Sequence, residues 1–239
     1  MKKQSNAYAL TYAVGLVLVV GVVLSLIYQS LRPEQQANAA NDTRAQILKA
    51  ALITGESKDI ASLWEKHITD AFIVDYHGNV VNRDPQAAFQ ATLGIAAESK
   101  KPADQRLLPV FQCATDAGVK YILPVYGAGL WGPIWGYVAF NDNGDTIYGA
   151  YFAHQGETPG LGAEIEKPAF SDQFQGKEIF SGHGKFLSVR VCKPGQEPSQ
   201  GAWVNGISGG TITSQGVDRM LRDSLEPYTN YLKTLNSRK

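Results

Sequence analysis

The chain has 239 residues with 22 basic and 22 acidic side chains, a formal net charge of zero at pH 7. One sizeable domain with an appendage fits that length, and the even charge balance offers no basic face, so no nucleic-acid partner is expected. Twenty-four glycines and 10% aromatic residues point to a turn-rich α/β or α+β domain rather than a helical bundle.

The first element is MKKQSNAYALTYAVGLVLVVGVVLSLIYQSLRP, which carries no charge between Lys3 and Arg32. From Tyr8 to Tyr28 almost every residue is apolar, and about 21 helical residues span roughly 30 Å, the hydrocarbon thickness of a bilayer. Tyr8, Tyr12 and Tyr28 fall near the two ends, where amphipathic rings favour the headgroup layer. Lys2 and Lys3 precede the span, whereas Arg32 is offset by Glu34 and Asp42. That bias predicts a cytoplasmic N-terminus over residues 1–7, a transmembrane helix over 8–29, a polar stalk over 30–42 and an exported domain over 43–239. Ala37-Asn38-Ala39 has the form of a signal-peptide cleavage site. The apolar core nevertheless exceeds the roughly 7–15 residues of a signal peptide, and a charged stretch separates it from those alanines, so a retained anchor is expected.

After the stalk, Asp42 or Thr43 is placed to cap a helix with Ile47, Leu48, Ala51 and Leu52 on its apolar face, ended by Gly55. A second short helix carries Ile60, Leu63 and Trp64. Three hairpins follow. AFIVDY and VV flank His77-Gly78-Asn79, LPVFQCA and VKYILPVY flank Asp116-Ala117-Gly118, and IWGYVAF and TIYGAYFA flank NDNGD. KFLSVRVCK reads as a later strand. Val217, Leu221, Leu225, Tyr228, Leu232 and Leu235 recur at near-helical spacing, with Pro227 kinking the element or starting a second helix. The expected class is α+β: one N-terminal transmembrane helix, then a soluble domain with a mostly antiparallel sheet and flanking helices.

Cys113 and Cys192 are too few to hold an ordinary iron–sulfur cluster. Both sit in strand-like runs away from the candidate loops, where a buried inert thiol is the default. An exported domain permits their pairing, for which sequence gives no distance.

Two loops interrupt the sheet. YGAGLWGPIWG, Tyr126 to Gly136, has four glycines and two tryptophans, and HQGETPGLGAEI, His154 to Ile165, has three glycines around Thr158-Pro159. Glycines let a backbone approach a flat ligand, and Trp131 or Leu161 is suited to cover its face. Each loop taken singly also reads as an ordinary hairpin connection.

NGISGGTITSQGV, Asn205 to Val217, places small and hydroxyl residues at the start of a helix. Gly206, Ser208 and Gly210 spell G-x-S-x-G, but His67, His77, His154 and His183 all precede Ser208, which is the wrong order for a hydrolase elbow. A His, Asp, Ser order stays open, although Ile207 stands where that class has an acid and no histidine sits in a recognisable partner motif. No catalytic or metal-ligating set is assigned. SGGT can instead turn several backbone N–H groups toward one point, and a helix beginning near Thr213 or Ser214 adds its positive end. The P-loop lysine and the dinucleotide glycine spacing are both missing, leaving a site for one or two phosphate charges. A plain helix cap with a glycine turn is the structural alternative.

GISGGTITSQGV is similar to the flavinylation motif of the FMN-binding domain family, in which S-G-A-T is followed by x-T-S. The N-terminal anchor, the ETPGLG loop and the C-terminal position of the motif resemble the C-subunit family of bacterial Na+-translocating NADH:quinone reductases, over essentially the whole chain. Gly210 stands where alanine is usual and Asn205 where aspartate is usual. The resemblance implies FMN joined through its phosphate to Thr211. Trp131, Glu157, Thr158, Gly160 and Leu161 would then line the flavin, and Ser208, Gly209, Gly210 and Thr213 would surround the phosphate. It further implies a single-pass protein of a bacterial inner membrane with a periplasmic domain, relaying electrons among partner subunits that oxidise NADH, reduce quinone and move Na+. A flavin transferase would attach the cofactor. Two other readings stand beside it: the homologous flavin-carrying member of an Rnf-type complex, and an anchored ligand-binding domain with no redox role.

Overall fold

The computed structural model describes residues 6–236. Lys2 and Lys3, on which the expected orientation rests, lie outside the described residues. The chain divides into two compact units, Met1–Asp42 and Thr43–Lys239. Helix α1, Asn6–Ala50, is continuous through the stretch read as a stalk and through Pro33. The Ala, Gln, Glu and Arg of PEQQANAANDTRAQ are strong helix formers, and one Pro removes one hydrogen bond. Consequently neither Asp42 nor Thr43 starts a helix. The most apolar 18-residue window of α1 has a mean hydropathy of 2.6, and none of it is buried.

The helix stops before Gly55. Leu52 takes φ 61°, its N–H bonds the Lys49 carbonyl at 2.9 Å, and the Ile53 N–H bonds the Leu48 carbonyl at 3.0 Å. This is a Schellman ending with leucine in the position that usually needs glycine. That backbone costs about 1 kcal/mol; Gly149 lies close beside it, where a Cβ would strike the Ala50 carbonyl and crowd the Leu52 side chain.

The second unit is built on a six-stranded sheet. Helix α2 (Ile60–His67) runs into β1 (Ile68–Val74), followed by β2 (Val80–Asn82), helices α3 (Pro85–Leu93) and α4 (Ile95–Glu98), and strands β3 (Leu108–Thr115), β4 (Gly118–Ala128), β5 (Pro133–Phe140) and β6 (Ile147–His154). The order is β2-β1-β3-β4-β5-β6, and every neighbouring pair is antiparallel. All three expected hairpins form. In NDNGD, Gly144 supplies the φ of 65° that closes the turn.

Both faces of the sheet are covered, which explains why its strands read as nearly continuous apolar runs. On one face Phe72, Val110, Leu123, Val125, Val138 and Phe140 pack with Val217, Leu221, Leu225 and Tyr228 of the C-terminal helices. Those helices are α6 (Thr211–Leu225) and α7 (Thr229–Asn236), joined by a 3-10 turn at Pro227. Leu221 and Leu225 are both fully buried, and burying each contributes about 1.5–3 kcal/mol. Tyr228 is 1% exposed and donates its hydroxyl to the Pro109 carbonyl at 2.9 Å. On the other face Phe111 meets Trp64, which also stacks edge-on against Phe89 of α3.

KFLSVRVCK does not join this sheet. After the short helix α5 (Pro168–Ser171), only Arg190–Cys192 is extended, as β7, and it pairs in parallel with β8 (Trp203–Asn205) in a separate two-stranded sheet. Ser188 has φ 60°, a left-handed conformation that interrupts any longer strand.

Cys113 and Cys192 are unpaired and lie in different sheets. Burial pushes the Cys113 thiol up to about 11, so at pH 8 the native protein should release one thiol to a maleimide, from Cys192. Cys113 should react only after unfolding. Two native thiols modified at similar rates would contradict the buried position.

Candidate functional site

Strand β8 delivers the chain into the turn Gly206–Gly210. Gly209 takes φ 76°, and the Gly210 N–H closes the turn on the Ile207 carbonyl at 3.0 Å. Helix α6 starts at Thr211 itself, two or three residues ahead of the expected position, with Gly210 as an N-cap that offers no side chain. The four hydroxyls of the motif are therefore not equivalent. Ser214 accepts the Ile207 N–H at 2.8 Å and pins the turn to the helix. Thr213 is 1% exposed and donates to Glu157 Oε2 at 2.5 Å. Ser208 is exposed and Thr211 half-buried, and among the described residues neither hydroxyl has a partner.

The turn packs against the ETPGLG loop. A Cβ on Gly209 would strike the Leu161 side chain, and one on Gly210 would lie 3.3 Å from the Gly162 nitrogen. Gly160 sits at the exposed tip with φ 75°, and the exposed Thr158 accepts the Leu161 and Ala163 N–H groups at 3.1 Å each through its carbonyl. The other loop is joined through Glu157, whose Oε1 accepts the Trp131 N–H at 2.9 Å. Glu157 is thus buried beneath both loops, 4% exposed, and not on their surface. Burial alone would raise its carboxyl; the donors from Thr213, Trp131 and Leu130, with His154 nearby, outweigh that and hold it below its ordinary value.

Above this buried link lies apolar surface. Trp131 is 69% exposed, Ile212 50%, Leu130 48% and Leu161 42%. Apolar side chains left in solvent on two loops and a helix start, joined by one carboxylate, are what a flat aromatic ligand would cover. Beside it, a cleft of about 530 Å³ is lined by Thr211, Ser208, Gly209, Arg190, Lys193 and Cys192, among others. Cys192 therefore does not stand away from the candidate residues. The parallel register sets it opposite Asn205, and its carbonyl accepts the Gly206 N–H at 2.7 Å.

Asp218 carries no expected role, yet it fastens the small sheet to α6. It accepts Arg190 Nε at 2.9 Å and the Val191 N–H at 2.8 Å on one oxygen, and Arg222 at 2.7 Å on the other. Its i,i+4 spacing from Arg222 is legible in sequence, whereas Arg190 is brought in by the fold.

The profile of the FMN-binding domain family matches residues 129–226, which include both the Trp131 loop and the Thr211 turn. The chain is 34% identical over 220 residues to the C subunit of the Na+-translocating NADH-quinone reductase of Vibrio vulnificus, covering 85% of this chain and 84% of that one. To its counterpart in Neisseria meningitidis it is 29% identical over 251 residues, covering 97% and 96%. The crystal structure of the C subunit from Parabacteroides distasonis superposes with a TM-score of 0.76 at 45% identity, covering 84% of this chain and 96% of that one. The fold, the extent of these likenesses and the residues they span agree: the chain belongs to the C-subunit family of Na+-translocating NADH-quinone reductases and carries its FMN-binding domain.

Proposed function

We propose that this chain is a membrane-anchored electron relay whose FMN is held covalently through a phosphoester to Thr211. The observation that carries the assignment is the state of the hydroxyls: Thr213 and Ser214 are committed to Glu157 and Ile207, while Thr211, the first residue of α6, has no partner among the described residues. A phosphate there would meet first-turn N–H groups that have no intrahelical partner, together with the positive end of the helix. Ser208 likewise has no partner among the described residues, but it lies in the turn, ahead of the helical N–H groups. Arg190 and Lys193 line the adjoining cleft together with Glu197 and Asp218, and Arg190 is already paired with Asp218, so it is the helix start that favours an anion there.

The residues fit the cofactor. Trp131 and Leu161 offer apolar faces to a ring, Gly209 and Gly210 allow close backbone approach, and Thr158 and Gly160 shape the rim. FMN supplies reversible electron uptake and release, while the surrounding chain tunes its potential and keeps water from its covered face. The tether retains the cofactor outside the cytoplasm, where free FMN is scarce. Other subunits of the complex would donate and accept the electrons and move Na+. The anchor has too little intramembrane polarity to be an ion path.

Two experiments test this reading. Produced together with a flavin transferase, the chain should stay fluorescent in a denaturing gel; a colourless band from a host shown to flavinylate another substrate would sink the covalent assignment. For orientation, alkaline phosphatase fused after Lys239 should be active in an export-competent bacterium. An inactive phosphatase paired with an active cytoplasmic reporter at the same point would reverse the topology.

A further inference from the structure

Glu157 is buried although Gln155, Gly156, Thr158, Pro159 and Gly160 around it are exposed. Its two oxygens serve different parts of the chain, Oε1 the Trp131 N–H and Oε2 the Thr213 hydroxyl. Its own N–H donates to His154 Nδ1 at 3.1 Å, tying it back to the end of β6. Two glycines make the room: a Cβ on Gly129 would strike Oε1, and one on Gly162 would strike both Oε2 and the Thr213 hydroxyl. An apolar side chain would fill this space without a desolvation cost. What the carboxylate adds is direction, since each bond is satisfied at one placement of its donor.

We propose that Glu157 is a positioning residue, which sets the Trp131 loop relative to the Thr211 turn so that ring and phosphate of one flavin are held together. For the identity of the ligand this rests on the FMN reading above. Glu157 acts through Trp131 and Thr213 and does not touch the ring itself. Weakening either bond leaves the hydrophobic core intact and frees one loop, the least stable kind of element in a fold.

The test compares Thr213→Val, Thr213→Ser and Glu157→Met in the full-length chain; methionine has the reach of glutamate without its acceptor oxygens. In a Thr211→Ala background without flavin, hydrogen exchange of residues 129–132 should accelerate about tenfold in Thr213→Val and Glu157→Met. Thr213→Ser, which keeps the hydroxyl, should exchange like the parent. In the flavin-loaded chain, Thr213→Val should lower the flavin fluorescence anisotropy and shift the midpoint potential, and Thr213→Ser should restore both. Unchanged exchange in both weakened variants overturns the clamp. Faster exchange with unchanged anisotropy and potential makes Glu157 a structural residue only and overturns the positioning role. A parent chain that takes no flavin sinks the cofactor reading, while the exchange measurement still decides the clamp.

Discussion

Replacing Thr211 by alanine should abolish covalent flavin completely while leaving the domain folded. The substitution removes the one oxygen through which a phosphoester can form. Nothing else is lost, because the Thr211 hydroxyl has no partner among the described residues and a half-exposed helix start tolerates alanine to within about 0.5 kcal/mol. Thr211→Ser keeps the oxygen and should retain attachment wherever the transferase accepts it. Thr213→Ala and Ser214→Ala should lower the yield without eliminating it, since each unfastens the turn and spares the acceptor. In-gel fluorescence under denaturing conditions gives the occupancy, and mass spectrometry of the peptide spanning Asn205–Arg219 gives the position. Flavin mass persisting in Thr211→Ala, or localised to Ser208, would overturn the assignment. An unchanged melting temperature is part of the expected result, as it separates loss of an acceptor from loss of a fold.

The hairpins and the C-terminal helix are legible in the sequence because their signals are local. NDNGD needs only its own glycine to close, and the apolar stripe from Val217 to Leu235 needs only the helical period. The helical course of residues 30–42 is obscured by Pro33 and by polar composition, although the alanines and glutamines there are good helix formers. KFLSVRVCK has the composition of a strand throughout, and the backbone reversal at Ser188 leaves no sequence mark. At the site, the motif singles out Thr211 and the loops single out Trp131 and Leu161. Glu157 is legible as part of its loop but not as a buried link, because its partners stand 26 and 56 residues away. The place of Cys192 is hidden for the same reason: only the parallel pairing of β7 with β8 carries it to the cleft.

Gly216 is the position where local propensity and packing make opposite forecasts. In an exposed helix interior, glycine to alanine stabilises by about 0.5–1 kcal/mol. Here α6 lies so close to the end of β4 that a Cβ on Gly216 would strike the Ala128 carbonyl and crowd Gly129, while one on Gly127 would strike Met220. Backbone atoms cannot swing aside as a flexible side chain can, so the helix has to move. Gly216→Ala should therefore destabilise the domain by about 1–3 kcal/mol, the usual cost of overpacking, and Gly216→Val by more. The displacement also reaches the site. Ala128 and Gly129 begin the loop that carries Trp131, and Thr213 stands on the preceding turn of the same helix. Separating α6 from that loop loosens the Trp131–Glu157–Thr213 link, and covalent flavin should fall although Thr211 is untouched. Gln215→Ala, on the exposed side of the helix, is the control and should be neutral or slightly stabilising. Urea unfolding of the three variants gives the stabilities. A Gly216→Ala protein as stable as the parent would mean that helix and strand do not approach this closely, and the geometry drawn for the site would lose its support.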